Sequence, residues 1–393
     1  MFFCYVPNLR FSDEQWKSTT LGASCDGFDY GIGAEAIDFD GSNQYIRITD
    51  IDDEYSLYTS RHPVSPSFID ENCICKENDI LFARTGASTG KTYLYNQSDG
   101  KLYFAGFLIR VNVKQSYDSY FIFTITKTNK YNNWVKIMSA RSGQPGINAQ
   151  EYKKLSFKHP SIETQRKISS FIKKIDTRIL LQSKIIEDLI IKKKIISDKL
   201  FSQIPTHRNN LSFYYVKGKA GGTPKSTNKK FYDGEIPFLS ISDMTEQGKY
   251  IYRTEKTLTQ EGLNNSTAWI VPKDSLLLSM YASVGQVAIN RIPLTTSQAI
   301  FSMTITDKTI LDYLYYYLSY FKENKLHRYL ETGTQSNINA DFVKGIEIPD
   351  YGYCKNKLIV SLLFLMDEKI KKEKDILSLY KKQKAYLLQN MFI

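Results

Sequence analysis

Two short stretches have residue types and spacings that could do chemistry. Gly86-Ala-Ser-Thr-Gly90-Lys91-Thr92 sets glycines, a lysine and hydroxyls in the order of a phosphate cradle, in which backbone N–H groups and an ammonium surround an anion. That cradle needs four residues between its glycines, and here there are three. Cys73-Ile-Cys75 is the one close cysteine pair. A metal centre needs about four convergent ligands, and His62, His159, His207 and His327 offer no spacing that completes one. The chain has no dinucleotide fingerprint, no paired histidines at helical spacing, and no Asn/Asp-Pro-Pro-aromatic motif of the kind that holds a flipped adenine. The residues point to binding and positioning, with neither catalytic residues nor a metal in this chain.

The elements that carry these stretches are duplicated. Asp79-Ile-Leu-Phe-Ala-Arg-Thr-Gly-Ala-Ser-Thr-Gly90 returns as Asp274-Ser-Leu-Leu-Leu-Ser-Met-Tyr-Ala-Ser-Val-Gly285, in which the lysine and hydroxyl that follow Gly90 are replaced by Gln286 and Val287. Ile48-Thr-Asp50-Ile51 returns as Ile241-Ser-Asp243-Met244, Ile147-Asn-Ala149 as Ile338-Asn-Ala340, and Asp176 as Asp367. A repeat that long is a duplicated domain, not a short-period solenoid. The cradle-like glycines therefore read as a tight turn after a strand, because the second copy keeps the turn and loses the lysine.

Each copy has two parts. Residues 1–161 and 205–353 are short apolar runs broken by Gly, Asn, Asp and Ser, the pattern of mixed domains dominated by strands, with helices such as Ile310 to Phe321. Residues 162–204 and 354–393 contain no glycine, and their apolar residues recur at helical spacing, which predicts two spacer helices of ~60 Å each. A heptad seam runs through Ile172, Ile175, Gln182, Ile186, Leu189 and Lys193 in the first, and Leu363, Met366, Glu373, Leu377, Tyr380 and Lys384 in the second. Its polar exceptions recur at matching places. The expected fold is α+β: two tandem mixed domains separated by two long antiparallel helices that form a coiled coil with pseudo-twofold symmetry. An antiparallel seam that pairs the exceptions would put Lys193 by Glu373 and Gln182 by Lys384.

The 393 residues carry 52 Lys+Arg and 41 Asp+Glu, a formal net charge of +11, and ten of those excess charges lie on the two helical segments. A basic surplus suits an anionic partner, but here it says little about the globular parts. Five cysteines, odd in number and scattered, and an N-terminus unlike a signal peptide predict a reducing cytoplasm. No apolar run approaches the ~20 residues of a membrane span.

Several features together resemble the specificity (S) subunit of Type I restriction-modification systems. They are Gly221-Gly-Thr-Pro224 with Phe231-Tyr-Asp-Gly-Glu-Ile-Pro237, the Asp79 to Gly90 stretch and its copy, Gln298 before Ala299, Thr332-Gly-Thr-Gln-Ser-Asn-Ile-Asn339, and helices that open near Glu163-x-Gln165 and close near Phe201 and Phe392. The second helix departs from the family by opening on Tyr353-Cys-Lys-Asn. The resemblance implies two target recognition domains, each reading half of a bipartite site in double-stranded DNA, and helices that set the spacing and dock partners. The implied partners are two modification subunits, which bind S-adenosylmethionine and methylate adenine, and two restriction subunits that use ATP and Mg; this chain itself would carry no cofactor.

Domains that read different half-sites should share scaffold residues and differ at base-reading ones. The repeated Gly86, Gly90, Gly285, Asn148 and Asn339 are thus expected to shape turns. Unmatched polar side chains in loops are the DNA-contact candidates: Arg84, Lys91, Arg141 and Gln144 in the first domain, and Lys225, Lys229, Tyr281, Gln286 and Gln335 in the second. The competing readings are a coiled-coil adapter whose globular ends bind proteins and a nucleotide hydrolase built on Lys91.

Overall fold

The computed structural model describes residues 14–59, 62–140, 143–305, 307–330 and 337–392. The chain forms two units, one of Met1–Ile185 with Glu373–Ile393 and the other of Ile186–Lys372.

In the first unit, a four-stranded antiparallel sheet is built from β1 (Cys25–Tyr30), β2 (Asp79–Ala83), β3 (Thr92–Leu94) and β4 (Leu108–Val113), in the order β1-β4-β2-β3. The run Asp79 to Ala83 is apolar throughout after its first residue because both faces of β2 are covered. Ile80 and Phe82 join Ile109 and Val111 in a core against helices α1 (Ser119–Ile125) and α2 (Asn129–Ser139), whereas Leu81, Ala83 and Leu108 turn to a second core with Tyr45, Tyr103 and Phe104. Asp118 and Thr128 cap α1 and α2 by accepting from Phe121 and Tyr131 backbone N–H groups.

The second unit repeats the plan. Strands β5 (Lys217–Ala220), β6 (Tyr250–Ile251), β7 (Leu276–Ser279), β8 (Val287–Asn290) and β9 (Ile300–Thr304) order as β5-β9-β7-β8-β6, with β6 the added, parallel edge. The pairing Ala83↔Leu108 in β2/β4 returns as Ser279↔Ile300 in β7/β9, each strand end closed by the same bond from a turn glycine, Gly90 to Ala83 O and Gly285 to Ser279 O. One helix, α3 (Lys308–Asn324), packs Tyr313, Leu314, Tyr317 and Phe321 onto the core face of Leu276, Leu278 and Phe301.

The two long helices span Ile162–Phe201 and Tyr353–Met391. Tyr353 therefore sits at the start of the second, immediately after Gly352, whose φ of 86° turns the chain. Each unit holds a segment of both helices, and within each unit the two segments run antiparallel. In the first unit Ile172, Ile175, Gln182 and Glu373 are buried, with Leu377, Tyr380 and Lys384 half-buried; Leu387, Leu388 and Met391 join Ile168 and Ile172 in the sheet's core. In the second, Ile186 and Leu363 are buried and Leu189, Lys193 and Met366 half-buried, while Ile359 and Leu363 pack with Phe201. Each fully buried Ile or Leu contributes about 1.5–3 kcal/mol.

The polar seam residues pair differently from the sequence expectation. Gln182, expected beside Lys384, donates from Nε2 to Glu373 Oε2 at 2.5 Å. Lys384 instead binds Asp176 at 2.5 Å, and Lys193 binds Asp367 at 2.5 Å rather than Glu373. The register sets Gln182 against its own duplicate, so each lysine reaches an aspartate beside the seam.

Candidate nucleic-acid interface

The glycine turn sits between β2 and β3, two antiparallel neighbours. Gly86 and Gly90 take φ of 75° and 89°, which favour glycine. The N–H groups of Thr89, Gly90 and Lys91 donate to the carbonyls of Gly86, Ala83 and Ser88 at 3.0, 2.9 and 3.0 Å. A phosphate cradle needs those donors unpaired, so this turn does not provide one. The stretch also spells Gly-x-Ser-x-Gly, but a nucleophile elbow joins a strand to a helix, and this turn joins strand to strand. Gly285 repeats the geometry with φ 78° and donates to Ser279 O at 2.9 Å. Asn148 and Asn339 cap short helices by accepting from the N–H groups of Glu151 and Phe342, at 2.9 and 2.8 Å. Both are scaffold residues.

Among the named candidates, Arg84 follows β2 directly. Its Nε donates to Gly106 O at 2.9 Å, and its guanidinium lies 5.0 Å from the Tyr30 ring centroid and 6.0 Å from that of Phe107. Lys91 pairs with Asp53 at 2.6 Å, with only 13% of the lysine side chain exposed. Gln144 is exposed beside the turn, its amide nitrogen next to Gly86. In the second unit Lys225, Lys229 and Tyr281 are exposed, and the Gln286 carbonyl accepts from Lys322 at 2.5 Å. Arg141 and Gln335 lie outside the described residues. The structure thus brings Arg84 and Gln144 to the same end of β2, holds Lys91 and Gln286 in internal pairs, and leaves the second unit's lysines and Tyr281 facing solvent.

Sequence reasoning missed the groups that tie each domain to the helices. Tyr120 of α1 donates to Asp176 at 2.6 Å, and Tyr316 of α3 donates to Asp367 at 3.0 Å. These are the same two aspartates that hold Lys384 and Lys193. The signal was in the sequence, since both aspartates belong to the repeat and sit one residue from a seam position. A cleft of about 1410 Å³ in the first unit lies beside one of these ties, lined among others by Lys91, Lys127, Asp176 and Lys384. Lys127 Nζ donates to Ser56 Oγ and Thr92 Oγ1, both at 2.7 Å, and sits 4.3 Å from the Phe123 centroid. Burial, with the Lys384 and Lys91 ammoniums adding repulsion against the pull of Asp176, lowers its pKa to about 7.

Cys25, Cys73 and Cys75 are buried free thiols, and burial pushes Cys25 up to about 12. Among the described residues no cluster of His, Cys, Asp or Glu could hold a metal, and no helix is long and apolar enough to cross a membrane.

The family model for the Type I restriction modification DNA specificity domain matches residues 34–190 and 213–379. A Type I restriction enzyme MjaIX specificity subunit from Methanocaldococcus jannaschii is 30% identical over 179 residues, 44% of this chain and 40% of the relative. A HindI specificity subunit from Haemophilus influenzae is 33% identical over 133 residues, 33% of this chain and 28% of that relative. These two matches thus span less than half of either relative. The crystal structure of an S subunit from M. genitalium superposes with a TM-score of 0.62 at 16% identity, covering 98% of this chain and 99% of that one. A chain from a type I R-M system, solved in work on complex assembly and conformational transition, gives 0.59 at 14% identity, covering 95% and 96%. At such identities the superpositions speak for the fold.

Proposed function

Since the chain belongs to the family of Type I restriction modification DNA specificity domains, with a match in each half, we propose that it supplies the DNA address of a restriction-modification complex. Each domain reads one half of a bipartite duplex target, and the long helices fix the distance between the halves. The observation that carries this reading is the duplication itself: one scaffold occurs twice, with the same strand register and the same turn, but with different polar side chains beside it. Two readers on one spacer suit two targets about one DNA turn, ~34 Å, apart, or a multiple of it.

The helices also present apolar residues away from their seam. Leu181, Ile185, Ile376 and Leu379 in the first unit, and Ile191, Ile195, Leu358 and Leu365 in the second, are 37–67% exposed. Such residues on a helix pair suit further helices packed against it. We assign that role to two modification subunits, which bring S-adenosylmethionine and methylate adenine, with two ATP- and Mg-dependent restriction subunits completing the complex in the cytoplasm. The chain itself performs no catalysis in this scheme and carries no cofactor.

Arg84, Gln144, Lys225, Lys229 and Tyr281 are the best-placed DNA contacts of those named, because their polar ends are not held in an internal ion pair among the described residues. The test is binding of the chain, with modification subunits, to duplex DNA across a salt series. Specific retention of one bipartite sequence, weakening steeply with salt, is expected. Equal retention of any duplex, or none, overturns the reading and favours a protein-binding adapter.

A further inference from the structure

The duplicated scaffold allows the two units to be compared position by position, and the comparison isolates one cluster. At the end of β2 stands Arg84, and in the second unit the matching position just past β7 is Met280: Ile147 N donates to Arg84 O at 2.9 Å, as Ile338 N donates to Met280 O at 3.1 Å. Met280 is buried, 3% exposed, and its side chain carries no N–H or O–H donor. The residue across from Arg84 is Phe107, whose carbonyl accepts the Arg84 N–H at 3.1 Å, while Met280 N donates to the carbonyl of the half-buried Ala299 at 2.7 Å. The strand end is thus closed by a buried methionine beside an alanine in the second unit. In the first it opens to the surface as an arginine between two rings, Tyr30 at 46% and Phe107 at 60% exposure.

The arginine is held ready. Its Nε donates to Gly106 O at 2.9 Å, and Gly106 N in turn donates to Ile32 O at 2.7 Å, so the anchor is a fixed backbone loop. The Tyr30 hydroxyl accepts from Ala149 N at 3.2 Å, which pins the ring under the guanidinium. Among the described residues no carboxylate lies within ion-pair distance of Arg84, unlike Arg47, Arg110 and Arg291, which pair with Asp50, Asp29 and Asp274. Four terminal N–H donors therefore remain for an acceptor from outside. A planar fork with its Nε tied and its face stacked on an aromatic ring has lost most of its rotamer freedom before binding.

We infer that Arg84, flanked by Tyr30 and Phe107, reads a guanine in the half-site recognised by the first unit, through the N7 and O6 acceptors that a guanidinium fork matches. This rests on the DNA-addressing role proposed above and adds the base, the residue and the half-site. Tyr30 and Phe107 act as positioning residues that hold the fork and exclude water beside it. Met280 offers no such donors, so the second unit reads its half-site with other residues.

The experiment is selection from a randomised duplex pool by the full chain assembled with modification subunits, followed by sequencing of the retained duplexes. The wild-type protein should enrich a bipartite motif with an invariant guanine in one half. Arg84→Ala should relax that one position by about 10- to 100-fold, leave the other half-site unchanged, and melt at the wild-type temperature. Arg84→Lys should relax it as well, since a point charge cannot make the paired contact, while keeping the salt dependence of binding. Phe107→Ala should weaken the same position by less. If both Arg84 variants enrich the unaltered motif, or lose both halves together while still folded, the inference falls and the addressing role stands. If the wild-type protein enriches no bipartite motif, the addressing role itself fails and this assignment fails with it.

Discussion

Gln182 and Glu373 occupy the same position of the duplicated helices and meet each other across the seam of the first unit, amide to carboxylate at 2.5 Å. The amide also donates to the Glu373 backbone carbonyl at 3.1 Å. Both side chains are buried, 8% exposed each. A residue that contacts its own duplicate marks the point where one register fits both copies of the helix. It also resembles the single polar seam residue that fixes alignment in coiled coils, at some cost in stability.

Gln182→Leu should therefore destabilise the first unit by about 1–3 kcal/mol, because a buried carboxylate loses its amide donor. Gln182→Leu with Glu373→Leu should recover most of that loss or exceed the wild type. Urea unfolding of the three proteins, followed by circular dichroism, measures both effects.

The Tyr120–Asp176–Lys384 and Tyr316–Asp367–Lys193 ties predict paired, local defects. Asp176→Ala should loosen the first unit and Asp367→Ala the second, each by about 1 kcal/mol, since the aspartates are 23% and 31% exposed and water screens the pairs. Amide hydrogen exchange should show lost protection around α1 in one variant and α3 in the other. Loss spread equally over both units in either variant would contradict the assignment.

Lys127 gives a pH dependence with a definite sign. Its folded pKa, lowered to about 7, lies below the usual lysine value of 10.5, so between those limits the unfolded chain binds the extra proton. Stability should rise with pH from about 7 toward 9, because the proton that only the unfolded chain holds becomes less favourable to bind as pH rises. Lys127→Met should flatten this slope in thermal melts taken across that range. The raised tyrosine and cysteine groups act in the opposite direction, but only at higher pH.

The glycine turn serves structure, not nucleotide chemistry. A Cβ at Gly90 would lie 2.6 Å from Val135 Cγ1 at a φ of 89°, so Gly90→Ala should cost about 1–3 kcal/mol. Lys91→Ala should leave ATP turnover at the blank level shown by the unaltered protein, read as phosphate release.

The sequence was most informative where a pattern occurs twice. Two copies of an apolar run ending in a glycine turn marked β2 and β7, and the loss of Lys91's counterpart argued against a phosphate cradle. Heptad spacing located a helix seam, but spacing cannot set the register of an antiparallel pair. Pairing seam exceptions with one another overlooked Asp176 and Asp367, which lie just off the seam and reach across it. The polar contacts were harder still. Lys91 and Arg84 look alike as basic residues beside a turn, and only the fold separates an ion-paired lysine in a cleft from an arginine stacked between rings. Tyr30 and Phe107 read as ordinary strand residues until the loops that expose them are in place.

The first unit is discontinuous in sequence: Leu387, Leu388 and Met391 complete its core, and Phe392 sits 5.3 Å from Phe121 and 6.2 Å from Trp16, ring centroid to centroid. The second unit is one uninterrupted stretch. On the ribosome the usual order is thereby reversed, because the unit begun by residues up to Ile185 must wait for Glu373 onward to emerge, while the unit of Ile186–Lys372 can close before it. Until then Trp16 and Phe121 lack their final partner and present sticky surface to chaperones. A stop codon between Glu373 and Leu387 would leave the second unit's stretch whole and unravel the unit encoded upstream of it.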